Sequence, residues 1–200
     1  MFASDQTLRR LLLASAIYAG TACTVFAQSV AKPSMHVGRS PTAEEIAGWD
    51  IDVVPDGTGL PIGHGTAAEG AAVFAMRCAA CHGANGEGVS VPERGAFPRL
   101  VGGIGTLADD VPVKTVGSYW PYATGVFDYI RRAMPLTAPG SLTSNEVYAL
   151  VAFILSRNGV IPAPAVMNEK TLPAVVMPNR DGFIRSAQSE KLARPRADGD

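Results

Sequence analysis

The sequence predicts an all-α protein, a small helical shell held between extended, Pro/Gly-rich arms. Three observations predict it. Residues 66–77 form an alanine-rich run with Glu69 near its start. Val147, Leu150, Val151, Ile154 and Leu155 recur at helical spacing. Elsewhere, 21 glycines and 15 prolines in 200 residues leave much of the chain to loops. Aromatic residues make up only 7%, so side chains alone would build a thin core. A formal charge of -1 with 18% charged residues lacks the concentrated basic surface that nucleic-acid binding requires.

In chain order, Arg9 and Arg10 lead into LLLASAIYAGTAC, a run shorter than the ~20 apolar residues a spanning helix needs. Val25-Phe26-Ala27 then offers small residues at cleavage-type positions, so residues 1–27 read as a secretory signal peptide. A retained membrane anchor is the second reading, and lipid attachment at Cys23 is disfavoured by Gly20. Cleavage would remove Arg9, Arg10 and Asp5, taking the formal charge to -2 and leaving two cysteines. The expected location is the periplasm, with no membrane span after cleavage. Residues 28–65 are expected to form an extended arm. Ser40-Pro41-Thr42-Ala43-Glu44-Glu45-Ile46 can start one short helix, because proline suits a first helical turn, while WDIDVVPDG reads as extended.

The helix over 66–77 places Gly70 and Phe74 on one face with Cys78. A glycine there permits close approach by another helix, and Leu150 and Phe153 of the later helix are the candidate partners. An incidental glycine in an ordinary amphipathic helix is the alternative.

The motif Cys78-Ala79-Ala80-Cys81-His82 ends this run. In an oxidising compartment two cysteines invite a disulfide, but a bridge within C-x-x-C is strained, and the redox form expects a βαβ setting. Zinc needs four ligands, whereas His36 and His64 are the only other histidines. The third reading is covalent haem attachment, for which C-x-x-C-H is the signature. Two thiols at that spacing add to two haem vinyl groups, and the following imidazole lies beneath the iron. Spacing and export agree, so one covalent haem c is expected, held by Cys78 and Cys81 with His82 as an iron ligand. Such a haem also supplies the apolar core that the side chains lack.

Thioether sulfur suits the sixth iron position and raises the potential. Met134 and Met177 both precede proline. Met134 is preferred because a capping box at Thr143 and Glu146 opens the next helix, which can fix its loop, and Asn158-Gly159 closes that helix. Met177, His64 and His36 remain alternatives, and either methionine could instead be core filler. Tyr119, Trp120 and Tyr122 combine apolar rings with polar tips and are candidate contacts to the haem propionates; a plain aromatic patch is the alternative. Arg99, Arg131 and Arg132 are candidate propionate partners, with at most one expected to serve. Residues 160–184 carry Pro162, Pro164, Pro173 and Pro178 and cannot form a long helix. This second extended arm could cross a partner or fold over its own helical domain. The polar tail 185–200 lacks apolar anchors and is expected to be disordered.

Gly70, Phe74, Cys78, Cys81, His82 and Met134, with Phe97-Pro98-Arg99-Leu100, resemble the class I cytochromes c over residues 66–159. The resemblance implies that His82 donates from Nδ1 to the Pro98 carbonyl, strengthening the ring as a ligand. A narrower likeness rests on IAGWDIDVVPDG, GLP, KTVGSYWPYA, FDYIRRAMP and MPNRDGF. Over residues 44–184 these resemble the cytochrome subunits of Sox-type sulfur and sulfite dehydrogenases. That likeness implies a molybdenum-cofactor subunit as electron donor and a soluble cytochrome c or similar protein as acceptor. Many members carry two haems and this chain has one C-x-x-C-H, so a single-haem form is expected, with sulfane sulfur or sulfite as its partner's substrate. The remaining length cannot hold a molybdenum domain, so the chain is expected to transfer electrons without being catalytic alone. A free-standing electron carrier, and a haem sensor or enzyme with a displaceable methionine, are the competing functions.

Overall fold

The computed structural model describes residues 37–93, 95–184 and 186. The signal-peptide segment, Cys23, His36 and nearly all of the 185–200 tail lie outside the described residues. The chain divides at Thr42/Ala43 into two units. Of the first, only residues 37–42 are described, and they contain no helix or strand.

In the second unit, α1 spans Ala43–Trp49. Pro41 precedes it by two residues. A two-stranded antiparallel sheet joins the arms: β1, His64–Thr66, pairs with β4, Val166–Asn168, in the register Gly65 opposite Met167. Helix α2 covers Ala67–Arg77, and the one-turn helix α3 covers Ala79–His82. A second small hairpin pairs β2, Val89–Val91, with β3, Gly95–Phe97. The short α4 is Val116–Tyr119, α5 is Ala123–Ala133 and α6 is Ser144–Arg157. Helices dominate as expected; the two small sheets were not anticipated, because three-residue strands are too short to show alternation.

Capping boxes set the helix starts. Thr66 and Glu69 close one at α2, and Thr143 with Glu146 closes another at α6. Each satisfies otherwise unpaired N–H groups reciprocally. Hydrogen bonds, first from the Thr66 hydroxyl for Glu69 and from the Thr143 N–H for Glu146, hold both carboxyls below the ordinary 4.5. The sign follows: a depressed carboxylate adds stability that is full above pH 4.5 and disappears as pH falls through the lowered value. Glu146→Gln should therefore lower the melting temperature at neutral pH and flatten the acid limb, the two proteins converging once the carboxyl is protonated in both states.

The helix crossing forms as the sequence predicts. A Cβ on Gly70 would lie 1.9 Å from the Ala149 carbonyl oxygen and 2.8 Å from Phe153 Cβ, so α2 and α6 touch backbone to backbone there. Phe74 is 1% exposed and stacks on Phe153 with ring centroids 4.9 Å apart. Its burial alone stabilises the fold by about 1.5–3 kcal/mol.

Within the second unit, residues 53–61 and 172–177 pack onto this domain. Val53, Leu172 and Met177 are buried in the same core cluster as Val147 and Leu155. The buried Tyr148 hydroxyl donates to the Pro61 carbonyl at 2.8 Å, and desolvation pushes that phenol up to about 12. Of the two courses open to the 160–184 arm, the described residues take the one over their own domain.

Candidate functional site

The site grows from the end of α2. Cys78 caps α2, its N–H donating to the Phe74 carbonyl, and the chain turns directly into α3. That single turn places the thiols of Cys78 and Cys81 three residues apart on one side. Both are unpaired and half-buried. Burial, with Cys81 beside it, pushes the Cys78 thiol up to about 11, so it is neutral at physiological pH. Gly83 ends α3 at φ +80, where a Cβ would collide with the Glu87 side chain at 2.5 Å.

His82 lies at the last position of α3. Its Nδ1 is 2.9 Å from the Pro98 carbonyl oxygen. A carbonyl only accepts, so Nδ1 carries a proton, and in the neutral ring that leaves the Nε2 lone pair for a metal. The β2–β3 hairpin delivers Pro98, because β3 stops one residue earlier. Arg99 continues the strand exit, with its Nε donating to the Glu87 carbonyl at 3.2 Å.

Sequence reasoning missed a polar hub at the end of α6. Asn158 is 9% exposed. Its Nδ2 donates to the Leu100 and Ile154 carbonyls at 3.1 and 2.8 Å, and its Oδ1 accepts from Gly102 N–H at 3.0 Å. The residue thus pins the loop after Pro98 to α6. As an asparagine just before Gly159 it is legible only as a helix end; the loop it holds is about 56 residues earlier in the chain.

Met134 caps α5, its N–H donating to the Ile130 carbonyl at 3.1 Å. It is half-buried, and with Leu100, Trp120 and Leu142 it borders the core without being enclosed by it. Met177 differs: it is 1% exposed and packs in the core cluster as core filler does, at the wall of a groove beside the second arm. His64 is an exposed strand residue whose N–H donates to Asn145 Oδ1. An open groove of about 610 Å³ runs beside the second arm, lined by Ile104, Val160, Val176 and Arg180 among others, with no cysteine or histidine in its wall.

The aromatic candidates divide. Trp120 packs edge-on against Tyr129, and Tyr119 against Phe183 of the second arm. Tyr122 lies under the Arg180 guanidinium, 4.5 Å from its centre. Arg131 and Arg132 turn to the first arm, bonding the Ile51 carbonyl and the Asp52 carboxylate. Their charge is committed there.

The donor set fits a haem. Two thiols at i and i+3, an imidazole whose Nδ1 is held by a carbonyl, and the half-buried apolar residues Ala79, Leu100, Trp120 and Met134 bordering the core suit a flat apolar ligand bonded at one edge. Among the described residues no group of three or more His, Cys, Asp or Glu converges to hold a bare metal ion. The one strand leading into α2 pairs antiparallel, so the βαβ setting of a redox dithiol is also missing among the described residues.

Comparison with known proteins agrees. The cytochrome c family model matches residues 67–158. The crystal structure of the sulfane dehydrogenase SoxCD from Paracoccus pantotrophus is similar at 41% identity, covering 79% of this chain and 75% of that chain, with a TM-score of 0.71. No curated protein matches. Among the described residues no helix is long and apolar enough to cross a membrane. With its C-x-x-C-H turn, its α2–α6 crossing and these likenesses, the chain belongs to the cytochrome c family, as a class I electron-transfer cytochrome resembling the Sox subunit.

Proposed function

We propose that this chain is the periplasmic electron-transfer subunit of a sulfur-compound dehydrogenase, accepting electrons from a molybdenum-cofactor subunit that oxidises sulfane sulfur or sulfite. It would pass them singly to a soluble acceptor such as a cytochrome c. The observation that carries this reading is the reach of the likeness: 79% of the chain at 41% identity extends well beyond residues 67–158, into the arms. A shared haem domain alone would not explain that. Exposed apolar residues in the first arm, Trp49 at 88% and Ile62 at 91%, are consistent with a protein partner.

On this reading Cys78 and Cys81 would hold one haem c through thioethers, and His82 Nε2 and Met134 Sδ would be its iron ligands. The haem supplies a reversible one-electron couple. This chain's residues do the rest. The Pro98 carbonyl holds the imidazole in one orientation and makes it more basic. Met134, as the second iron ligand, would compete with small molecules for the iron. Tyr119, Trp120, Tyr122 and Arg99 are the candidate propionate contacts. Burial, axial ligands and hydrogen bonding then set the potential.

The second reading is a free-standing carrier, favoured by the burial of Val53, Leu172 and Met177 of both arms in the chain's own core. Affinity purification of the haem-loaded protein from native periplasm, with metal analysis, separates the two. A stoichiometric molybdenum-containing partner is the expected result. Recovery of the cytochrome alone, with unchanged electron transfer to acceptors, would favour the carrier.

A further inference from the structure

Four attachments run along one face of α5. Thr124 Oγ1 donates to the Pro55 carbonyl at 3.4 Å, and Asp128 Oδ1 accepts from Val53 N–H at 3.2 Å. Arg131 donates to the Ile51 carbonyl at 3.3 Å. Arg132 reaches Asp52 at 2.7 Å with one nitrogen and Asp128 with the other. Positions 124, 128, 131 and 132 share a helix face, and their partners descend from Pro55 to Asp52 and Ile51, so the arm lies antiparallel along the helix. Val126, Phe127 and Ile130, on other faces, are buried in the core. Helix α5 is therefore held between the core and a strap of residues 51–55. Its last turn, the one nearest Met134, carries the Arg131 and Arg132 bonds.

We infer that this strap positions the sixth iron ligand, with Arg132, Asp128 and Asp52 as its clasp. The inference rests on Met134 being that ligand, as proposed above. A methionine–iron bond is weak enough to be displaced when its carrier loosens, and the carrier here is the C-terminal end of α5. The strap opposes fraying of that end by bonding the final turn from outside, where the core does not reach. Fraying would allow Met134 to swing away and let another ligand bind. None of the clasp side chains touches the haem on this reading, so they act through Met134.

The test uses the haem-loaded ferric protein and titrates it with imidazole, a probe that competes for the sixth position. Arg132→Ala should let imidazole bind about threefold more tightly and should weaken the methionine–iron absorption band, because a half-exposed ion-pair clasp worth about a factor of three is gone. Arg132→Lys should restore most of the difference. Asp52→Asn, at a side chain 67% exposed, cannot unfold the domain and should shift imidazole affinity in the same direction by a smaller factor. A melting temperature lowered in either variant without change in imidazole affinity or in the band would make the strap merely structural and overturn the inference. Met134→Ala is the separate control. If it leaves the band intact, the ligand assignment fails; if it removes the band while Arg132→Ala leaves it and imidazole affinity unchanged, the strap alone fails.

Discussion

Met134→Ala should abolish the ferric methionine–iron absorption band, let the ferrous protein bind carbon monoxide, and lower the reduction potential by on the order of 100 mV or more. The scale follows from chemistry: axial ligands set haem potentials over a range of about 0.8 V, and thioether sulfur favours the ferrous state. Each ~59 mV lost is a factor of ten in the one-electron equilibrium, so electrons would be trapped upstream of such a variant. The same substitution at Met177 should behave differently. That side chain is 1% exposed inside the core, so Met177→Ala should destabilise the fold by about 2–5 kcal/mol and leave the band in place. Spectra of both variants in parallel decide the assignment. A band lost only with Met177 would transfer the ligand role to the second arm.

Gly70→Val should be the most damaging substitution away from the haem contacts. Even a methyl group at Gly70 would stand 1.9 Å from the Ala149 carbonyl oxygen. The obstacle is backbone in the middle of α6, which cannot rotate aside as a side chain can. Overpacking costs about 1–3 kcal/mol where neighbours yield, and here the helices must separate, exposing Phe74 and Phe153. A loss of about 3 kcal/mol or more, and a melting temperature lower by on the order of 10 °C, is expected in the haem-loaded protein. Gly48→Ala is the matched control. A methyl group at Gly48, in α1, would meet nothing within 4 Å beyond its chain neighbours and its own helix backbone. There the substitution should be neutral or slightly stabilising, because alanine is the better helix former. Equal destabilisation by both would show that the α2–α6 contact is not special.

How much could be read in advance depended on the range of each interaction. The α6 boundaries were legible because Thr143, Glu146, Asn158 and Gly159 act on backbone groups within a turn of themselves. The Gly70–Phe74 pattern was legible because helical periodicity marks a face. The Pro98 contact to His82 came from family resemblance, and the 2.9 Å geometry agrees with it. Arg131 and Arg132 show the limit. As two cations at a helix end they suggested propionate partners, whereas the arm residues that engage them lie about 80 positions earlier. The sheet joining the two arms was invisible for a related reason, since β1 finds its partner strand some hundred residues away.

By itself, then, the sequence determined the chemistry. A pair of thiols and an imidazole at one spacing admit few ligands, because covalent geometry over five residues leaves little freedom. Local signals likewise determined where the two crossing helices begin and end. Only the tertiary structure decided where the proline-rich arms lie, which methionine is enclosed by the core, and what grips the outer face of α5. Those outcomes depend on burial and on hydrogen bonds between residues far apart in the chain, and no short window of sequence contains both partners.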